Sequence, residues 1–313
     1  MDPAHQCRLS SERFQLQPSY RRLEQSWRNR RSQDHGRPRS SRSCCVHEVG
    51  RNSQGSARLS DARLGFSHPR IQRLRRLLGR RSARITDNAF VIEGHVLIAE
   101  AISAGWNIEE QFIAPGGIAV LGTSCRTFDL ENGVLERVAS TTTPQPVIAI
   151  AERRVSEVED LASCEWIVIA DQISDPGNLG TIFRSAEAAG ASGVVLTPGT
   201  VEAFNSKVVR SSAGSMFYIP VFEDITIDEV KEAGFSIVGT SSHEQRGSVP
   251  FTQASLTGKI AVVVGNEAHG LDDAHLVDQW ITIPHRGRSE SLNVAMAATV
   301  VCFEVAHQRD NAN

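Results

Sequence analysis

The sequence predicts an α/β protein in which a small α/β module precedes a larger domain built on a mostly parallel sheet. Short apolar runs, which are typical of buried strands, alternate with segments of helical periodicity along residues 65–313. Three runs in the second half end in polar or glycine-rich blocks, and the carboxyl ends of parallel strands are where open α/β sheets place ligand crevices. These observations predict helices on both faces of the sheet and a ligand site at its edge.

Residues 1–64 differ from the rest of the chain, since they are crowded with Arg, Ser and Gln and show neither helical nor strand periodicity. A segment of this composition cannot bury enough apolar surface to offset the entropy that it loses on ordering. We therefore predict a disordered extension. Two interpretations stay open: a basic tail that touches RNA, and added residues that play no part in the fold.

The module at 65–150 is predicted to begin with an arginine-rich helix. Ser67 is placed as its N-cap, with Pro69 in the first turn, where proline is favoured. Its apolar residues recur at helical spacing, namely Ile71, Leu74, Leu77 and Leu78. Around them stand Arg70, Arg73, Arg75, Arg76, Arg80 and Arg81. These arginines form either a solvated helix face or a patch that contacts RNA phosphates, with which guanidinium groups pair well.

The remaining elements follow from the alternation of strand and helix patterns. Strands are predicted at 90–94, 108–113, 147–150, 166–170, 193–196, 219–221, 235–239, 260–264 and 280–283. Helices are predicted at 96–104, 178–189, 203–212, 227–233 and 291–308. Residues 151–164 are charged and poor in large apolar groups, which predicts a linker with one helical turn before the domain at 165–313.

Composition narrows the class of protein. The net charge is −3 and 40% of the residues are hydrophobic, which is enough for a buried core. No apolar run approaches the roughly 18 residues of a membrane-spanning helix, so no membrane partner is expected. The six cysteines lack the paired spacing of zinc sites. We therefore expect reduced thiols and a cytoplasmic protein.

The first polar block is Asn178-Leu179-Gly180-Thr181-Ile182-Phe183-Arg184. A turn at 175–177 precedes it, and Asn178 is expected to cap the following helix with its side-chain oxygen. At about 100° per residue, Arg184 falls well off the apolar face of this helix. It is therefore either an ordinary surface arginine or a residue of the predicted crevice.

The second block, Gly265-Asn266-Glu267-Ala268-His269-Gly270, follows the strand at 260–264. Glycine lets the backbone approach a ligand closely. The block lacks the Gly-Lys-Ser/Thr ending of nucleotide hydrolases and the three spaced glycines of dinucleotide-binding folds. The interval between His269 and His275 is not that of metal ligands on one helix face, so no metal site is predicted.

The third block runs from Ile283-Pro284 to Ser291-Leu292-Asn293. Ser291 is expected to cap the last helix, with Asn293 in the first turn. A hydrolase nucleophile would need a strand–turn–helix elbow and a partner base, and neither is evident around Ser291.

In this order, the series Asn-x-Gly-x-x-x-Arg, Gly-x-Glu-x-x-Gly and Ile-Pro…Ser-Leu-Asn-Val closely resembles the SpoU (TrmH) family of RNA ribose 2′-O-methyltransferases, within the SPOUT superfamily. The resemblance covers residues 165–308, and residues 68–150 resemble the L30e-like substrate-binding domain that often precedes this catalytic domain. The architecture is closer to the ribosomal-RNA branch than to single-domain tRNA enzymes. Two positions depart from the family pattern: His285, where Met often follows Ile-Pro, and Ala295, where Ser often follows Ser-Leu-Asn-Val.

The resemblance implies a trefoil knot, which is an exception to the rule that chains avoid knots, and a homodimer with its active site near the subunit interface. It also implies S-adenosylmethionine as the cofactor, held largely by backbone groups near Thr240, Gly265, Ile283 and Leu292. The expected substrate is a ribose 2′-hydroxyl of 23S ribosomal RNA. A tRNA 2′-O-methyltransferase and a non-catalytic RNA-binding protein on the same fold are the alternatives.

The resemblance assigns catalytic roles to five residues. Arg184 is expected to stabilise the developing alkoxide rather than act as a base, because guanidinium is essentially never deprotonated in proteins. Ser291 and Asn293 would orient the ribose and its phosphate, while Asn178 and Glu267 would hold the site loops. Most of the catalysis should come from placing the hydroxyl in line with the methyl group.

Overall fold

The computed structural model describes residues 63–139, 141, 143–241, 247–265, 274–288 and 291–312. We call 63–152 the N-terminal lobe and 153–312 the C-terminal lobe. Residues 1–62 of the predicted extension lie outside the described residues. Residues 266–270 of the second polar block also lie outside them. Within the described ranges, no helix is both long and apolar enough to cross a bilayer.

The N-terminal lobe is a four-stranded sheet covered by short helices. Its elements are α1 (Pro69–Gly79), α2 (Arg81–Thr86), β1 (Ala89–Glu93), α3 (His95–Ser103), β2 (Ile108–Ile113), β3 (Arg126–Asp129), α4 (Val134–Val138) and β4 (Val147–Glu152). The strand order is β1-β4-β2-β3, with β4 antiparallel to both of its neighbours and β3 parallel to β2. One face of the sheet is covered by a core that includes Ile71, Leu74, Leu77, Val91, Phe112, Leu135 and Ile148.

The N-cap of α1 differs from the prediction. His68, not Ser67, caps this helix, because the ring Nδ1 of His68 accepts the backbone N–H of Arg70 at 3.2 Å. The predicted apolar stripe of α1 faces the core. The packing of the first turn decides which residue caps a helix, and the first turn of α1 starts one residue later than predicted.

The arginines of α1 and α2 divide into two groups. Arg70 is paired with Glu110, and Arg73 is paired with Asp87 and Glu109. Arg81 contacts Asp224 across the lobes at 2.9 Å, and the Arg75 guanidinium stacks 4.5 Å over the Phe66 ring. By contrast, Arg76 and Arg80 are exposed and form no ion pair with any described residue. Only these last two fit a patch that is open to phosphates.

The C-terminal lobe is built on a parallel sheet with helices on both faces. Its strands are β5 (Trp166–Ala170), β6 (Gly193–Leu196), β7 (Val221–Glu223), β8 (Ser236–Ser241), β9 (Val249–Pro250), β10 (Ile260–Val264) and β11 (Gln279–Thr282). Its helices are α5 (Pro176–Ala188), α6 (Ser206–Ser211), α7 (Ile227–Glu232) and α8 (Val294–Ala312). The strand order is β7-β6-β5-β10-β8-β11-β9. Each pairing in this sheet is parallel, so the predicted α/β fold with a mostly parallel sheet is confirmed.

Element boundaries in this lobe shift where local chemistry requires it. The strand predicted at 219–221 begins at Val221, since Pro220 has no N–H to donate to a sheet ladder. The helix predicted at 203–212 begins at Ser206, because the Asn205 side chain caps it by accepting the Lys207 backbone N–H at 2.9 Å. In the segment predicted to be a linker, Val158–Ser163 forms a 3₁₀ helix.

The two lobes share one hydrophobic core, which the sequence did not predict. Phe90 and Trp106 of the N-terminal lobe pack against Phe204 and Phe217 of the C-terminal lobe, with the Phe90 and Phe204 ring centroids 4.9 Å apart. The Trp106 indole N–H donates to the Phe217 carbonyl at 2.9 Å. A tryptophan that is packed and hydrogen-bonded in this way fixes one lobe against the other.

Candidate active site

Three adjacent strands end together at one edge of the parallel sheet. In the register, Thr240 of β8 lies opposite Ile281 of β11, and the β8–β10 pairing ends at Gly239 and Val263. Gly265 and Ile283 each stand just past the end of their strand, so they reach the same edge as Thr240. The Thr240 hydroxyl donates to the Val263 carbonyl at 3.0 Å. The structure therefore brings three of the four predicted cofactor positions together at this edge.

The start of α5 is built by Asp175, which corrects the predicted cap. The Asp175 Oδ1 atom accepts the backbone N–H groups of Gly177 at 2.7 Å and Asn178 at 2.9 Å. Asn178 thus lies inside the first turn and does not cap it. The Asn178 backbone hydrogen bond, followed by the Lys207 ammonium 3.2 Å from Oδ2, lowers the pKa of the Asp175 carboxyl. Asp175 is therefore an anion at neutral pH.

Two glycines near this turn are explained by close approaches. A Cβ on Gly177 would lie 2.7 Å from the capping oxygen of Asp175, and a Cβ on Gly180 would lie 1.9 Å from the Ser211 Oγ. Ser211 belongs to α6, and its hydroxyl lies 3.0 Å from the Pro176 carbonyl. Gly180 therefore lets α5 and α6 pack in direct backbone contact.

Asn293 joins the start of the last helix to the start of α5. Its Oδ1 atom accepts the backbone N–H groups of Ala295 at 3.0 Å and Met296 at 3.3 Å, so Asn293 caps α8. Its Nδ2 atom donates to the Asn178 Oδ1 at 3.0 Å. The prediction that Ser291 caps this helix is wrong, because the helix begins at Val294, beyond the reach of a Ser291 cap.

A cleft of about 540 Å³ opens between the starts of these helices. Its lining residues come from α5, from the α6 region and from the start of α8; they are Asp175, Gly177, Asn178, Thr181, Arg184, Arg210, Ser211, Ala213, Asn293, Ala295 and Met296. The cleft thus brings together three of the predicted catalytic residues, Asn178, Arg184 and Asn293. Ser291 and Leu292 are exposed and do not line it, and Glu267 lies outside the described residues.

The cleft carries two guanidinium groups, of which the sequence indicated only one. Arg184 is exposed on α5 and forms no ion pair within the described ranges. Arg210 comes from α6, and its Nη1 lies 3.3 Å from the Oε1 of Glu93, a buried carboxylate at the end of β1. Nothing in the local pattern around Arg210 marks it, because its place in the cleft follows from helix packing. Finding Arg210 would have required knowledge of which residues lie near Arg184 in space.

The arrangement is suited to an anionic, hydrogen-bonding ligand. Two guanidinium groups line one cleft, and the carboxylate among its lining residues, Asp175, is already engaged by the α5 amides and by Lys207. Guanidinium groups bind phosphate oxygens and stabilise negative charge that develops on an oxygen. Among the residues that the structure describes, no cluster of three or more His, Cys, Asp or Glu side chains could hold a metal ion.

Comparison with known proteins agrees with this geometry. Residues 165–303 match the model of the SpoU rRNA Methylase family, and residues 68–149 match the MRM3-like substrate binding domain. The 23S rRNA (guanosine(2553)-2′-O)-methyltransferase RlmP of Bacillus subtilis (strain 168) is 35% identical over 229 residues, which are 71% of this chain and 90% of that protein.

Solved structures of methyltransferases share the fold. The AdoMet-bound rRNA methyltransferase from Sinorhizobium meliloti is 30% identical with a TM-score of 0.67, over 76% of this chain and 94% of that one. The SpoU methyltransferase AviRb from Streptomyces viridochromogenes, in complex with AdoMet, is 28% identical with a TM-score of 0.69, over 78% and 98% of the two chains. The motifs, the parallel sheet and the extent of these matches lead to one conclusion: the chain belongs to the SpoU rRNA methylase family.

Proposed function

We propose that this protein is an S-adenosylmethionine-dependent methyltransferase that modifies a ribose 2′-hydroxyl of 23S ribosomal RNA. The observation that carries the proposal is the cleft that joins Asn178, Arg184 and Asn293 beside the carboxyl edge of the parallel sheet. Two of the relatives named above support the substrate class, since RlmP and the Sinorhizobium meliloti protein are named as rRNA methyltransferases and the name of RlmP also specifies the 2′-oxygen.

The strand ends fit the cofactor. Thr240, Gly265 and Ile283 are partly exposed, and none of them carries a charge. Backbone groups just past the end of a ladder can hydrogen-bond an adenosine without a large side chain between them. When bound there, S-adenosylmethionine would supply an electrophilic methyl group on a sulfonium centre.

The side chains of the cleft would position the RNA. The Arg184 guanidinium stabilises the 2′-oxygen as its proton passes to solvent, because a fixed cation lowers the energy of a developing alkoxide. Arg210 binds a neighbouring phosphate, while Asn293 holds Asn178 and thereby fixes the wall that faces the ribose. Alignment of hydroxyl and methyl group by this preformed wall provides most of the rate.

The proposal is tested with purified protein, labelled S-adenosylmethionine and 23S rRNA, followed by mapping of the 2′-O-methylated nucleotide. Arg184→Ala should retain cofactor affinity within about twofold and lose methyl transfer by about 100-fold, which is typical for removal of one charge-stabilising donor. Glu232→Ala, at an exposed position at the end of α7 that does not line the cleft, is the control. If Arg184→Ala lost cofactor affinity by the same factor as the rate of methyl transfer, Arg184 would be assigned to cofactor binding. Methylation of tRNA alone would favour a tRNA 2′-O-methyltransferase. Cofactor binding without transfer to any RNA would favour a non-catalytic RNA-binding protein.

The proposed enzyme is a homodimer that works in the cytoplasm, where its RNA resides. The support is an exposed apolar stripe on α8, in which Met296, Val300 and Phe303 are 62%, 38% and 50% exposed at helical spacing. Met296 also lines the cleft, so a partner on this stripe would lie beside the site. Sedimentation of the wild type and of Phe303→Asp tests this, because a charged residue at a buried interface should yield monomers.

We also propose the trefoil knot. It is supported by β11, which is inserted between the sequential strands β8 and β9, and by contacts of the last helix with the segment that leads into β10. Gln308 accepts the Leu256 backbone N–H at 3.0 Å, and Arg309 donates to the carbonyls of Thr257 and Gly258. An experimental structure with a continuous trace from β8 to α8 would reveal the threading.

A further inference from the structure

A buried carboxylate of the N-terminal lobe reaches the catalytic cleft. Glu93 is the last residue of β1 and pairs in the β4 ladder with Ile148, so its backbone is fixed by the sheet. Its side chain is only 5% exposed, and its Oε1 lies 3.3 Å from Nη1 of Arg210. The next residue, Gly94, turns the chain with a φ of 99°, so the strand ends here and its terminal carboxylate points out of the lobe toward α6.

Other ion pairs between the lobes do not reach this cleft. Arg84 is paired with Glu202 in a buried contact, and Arg81 is paired with Asp224 at the surface. None of these four residues lines the cleft, whereas Arg210 does. Among these three ion pairs between the lobes, the Glu93–Arg210 pair is therefore the one through which the N-terminal lobe touches the proposed chemistry.

The pair has a consequence for the guanidinium. An arginine side chain loses rotamer entropy when it is fixed, and it has five N–H donors in a rigid fork. A buried carboxylate that engages one end of the fork fixes its plane and does not by itself exhaust its donors. Arg210 is thus held ready in the cleft before RNA arrives, and the group that holds it is anchored in the other lobe.

We propose that Glu93 is a positioning residue for methyl transfer, acting from the N-terminal lobe through Arg210. The inference rests on the proposed function and deepens it: the N-terminal lobe completes the catalytic cleft in addition to recognising RNA. Arg210 in turn contacts an RNA phosphate next to the ribose that is methylated.

The test is a double-mutant cycle with Glu93→Gln, Arg210→Ala and both together, measured as kcat and KM on 23S rRNA. Glu93→Gln should lower kcat by about tenfold and leave the KM for RNA within about twofold, because the cation remains in the cleft but is no longer aligned. Arg210→Ala should raise KM as well. The double variant should be no slower than Arg210→Ala alone, since a residue that acts only through Arg210 has no effect once Arg210 is gone.

Glu202→Gln is the matched control, because it removes the charge of another buried carboxylate between the lobes without touching the cleft. It should lower the melting temperature as Glu93→Gln does, yet keep kcat at temperatures where the protein is folded. Equal kcat for Glu93→Gln and wild type, or additive losses of kcat in the double variant, would overturn this inference and leave the proposed function intact. A wild type that methylates no RNA would overturn the proposed function, and the inference with it.

Discussion

Gly180→Ala should widen the cleft by pushing α5 away from α6. The new Cβ would lie 1.9 Å from the Ser211 hydroxyl oxygen, which can rotate away, but also 2.8 Å from the Ser211 backbone carbonyl carbon, which cannot. Carbon atoms in good contact are separated by about 3.5 Å or more, so the helices must move apart by about 0.7 Å. This overpacking costs about 1–3 kcal/mol. The better helix propensity of alanine offsets about 1 kcal/mol.

We therefore expect a net destabilisation of at most about 2 kcal/mol and a larger effect on activity. Arg184 stands on α5 and Arg210 on α6, so a separation of the helices moves the two guanidinium groups apart. Misplacement by about 1 Å can cost 100-fold in rate, which predicts a loss of at least about tenfold for this variant. Urea unfolding followed by fluorescence gives the stability, and methyl transfer to 23S rRNA gives the rate.

Gly79→Ala is the control, because Gly79 is also helical and a Cβ there would meet nothing within 4 Å. It should be neutral or more stable by a few tenths of a kcal/mol, with unchanged activity. A Gly180→Ala protein as stable and as active as Gly79→Ala would refute the close-packing account of this glycine. Loss of stability with full activity would refute the link between helix separation and cleft geometry.

Three further predictions concern the lobes and the helix start. Replacing Arg76 and Arg80 by Gln should reduce the slope of log K against log salt by about 1.4, where K is the association constant for RNA and each phosphate contact of a single strand contributes about 0.7. Arg73→Gln is the control, which should leave this slope unchanged and lower the stability of the protein instead. Trp106→Ala should cost about 3–5 kcal/mol in unfolding experiments, whereas Trp106→Phe should cost less, because it keeps a ring in the shared core. Asp175→Ala should cost about 1 kcal/mol at pH 7 through loss of the N-cap. Because the folded pKa of Asp175 is depressed, this difference should be present above about pH 4 and shrink as the pH falls through the folded value; a constant difference would contradict it.

Buried strands could be predicted from the sequence because burial leaves a continuous apolar run in the chain. The run at 166–170 became β5, and that at 260–264 became β10, without a shift of a residue. Helix caps were less predictable, since several cap-forming residues stand close together at each start. Asp175 and Asn293 became caps in place of Asn178 and Ser291, because packing between helices decides where the first turn begins.

The contacts between the lobes could not be predicted at all. Trp106 and Phe217 belong to different lobes, and neither lies in a periodic pattern that would reveal its partner. Glu93 and Arg210 are 117 residues apart, and each by itself looks like an ordinary charged residue. Such pairs are fixed by how two finished sheets dock, which is information that a local pattern does not contain.

The hydrogen bond between Asn178 and Asn293 spans 115 residues of chain, and this distance sets an order of events during synthesis. A ribosome has already released the strand and helix that carry Arg184 when the codon for Asn293 is read. Until α8 follows, the Asn293 amide that donates to Asn178 is not in place, and the wall of the cleft that α8 supplies does not exist. A growing or prematurely ended chain therefore has no complete site with which to modify the ribosomal RNA around it. A complete site forms only after α8 has been synthesised and packed, so the last helix makes the activity depend on synthesis of this part of the chain.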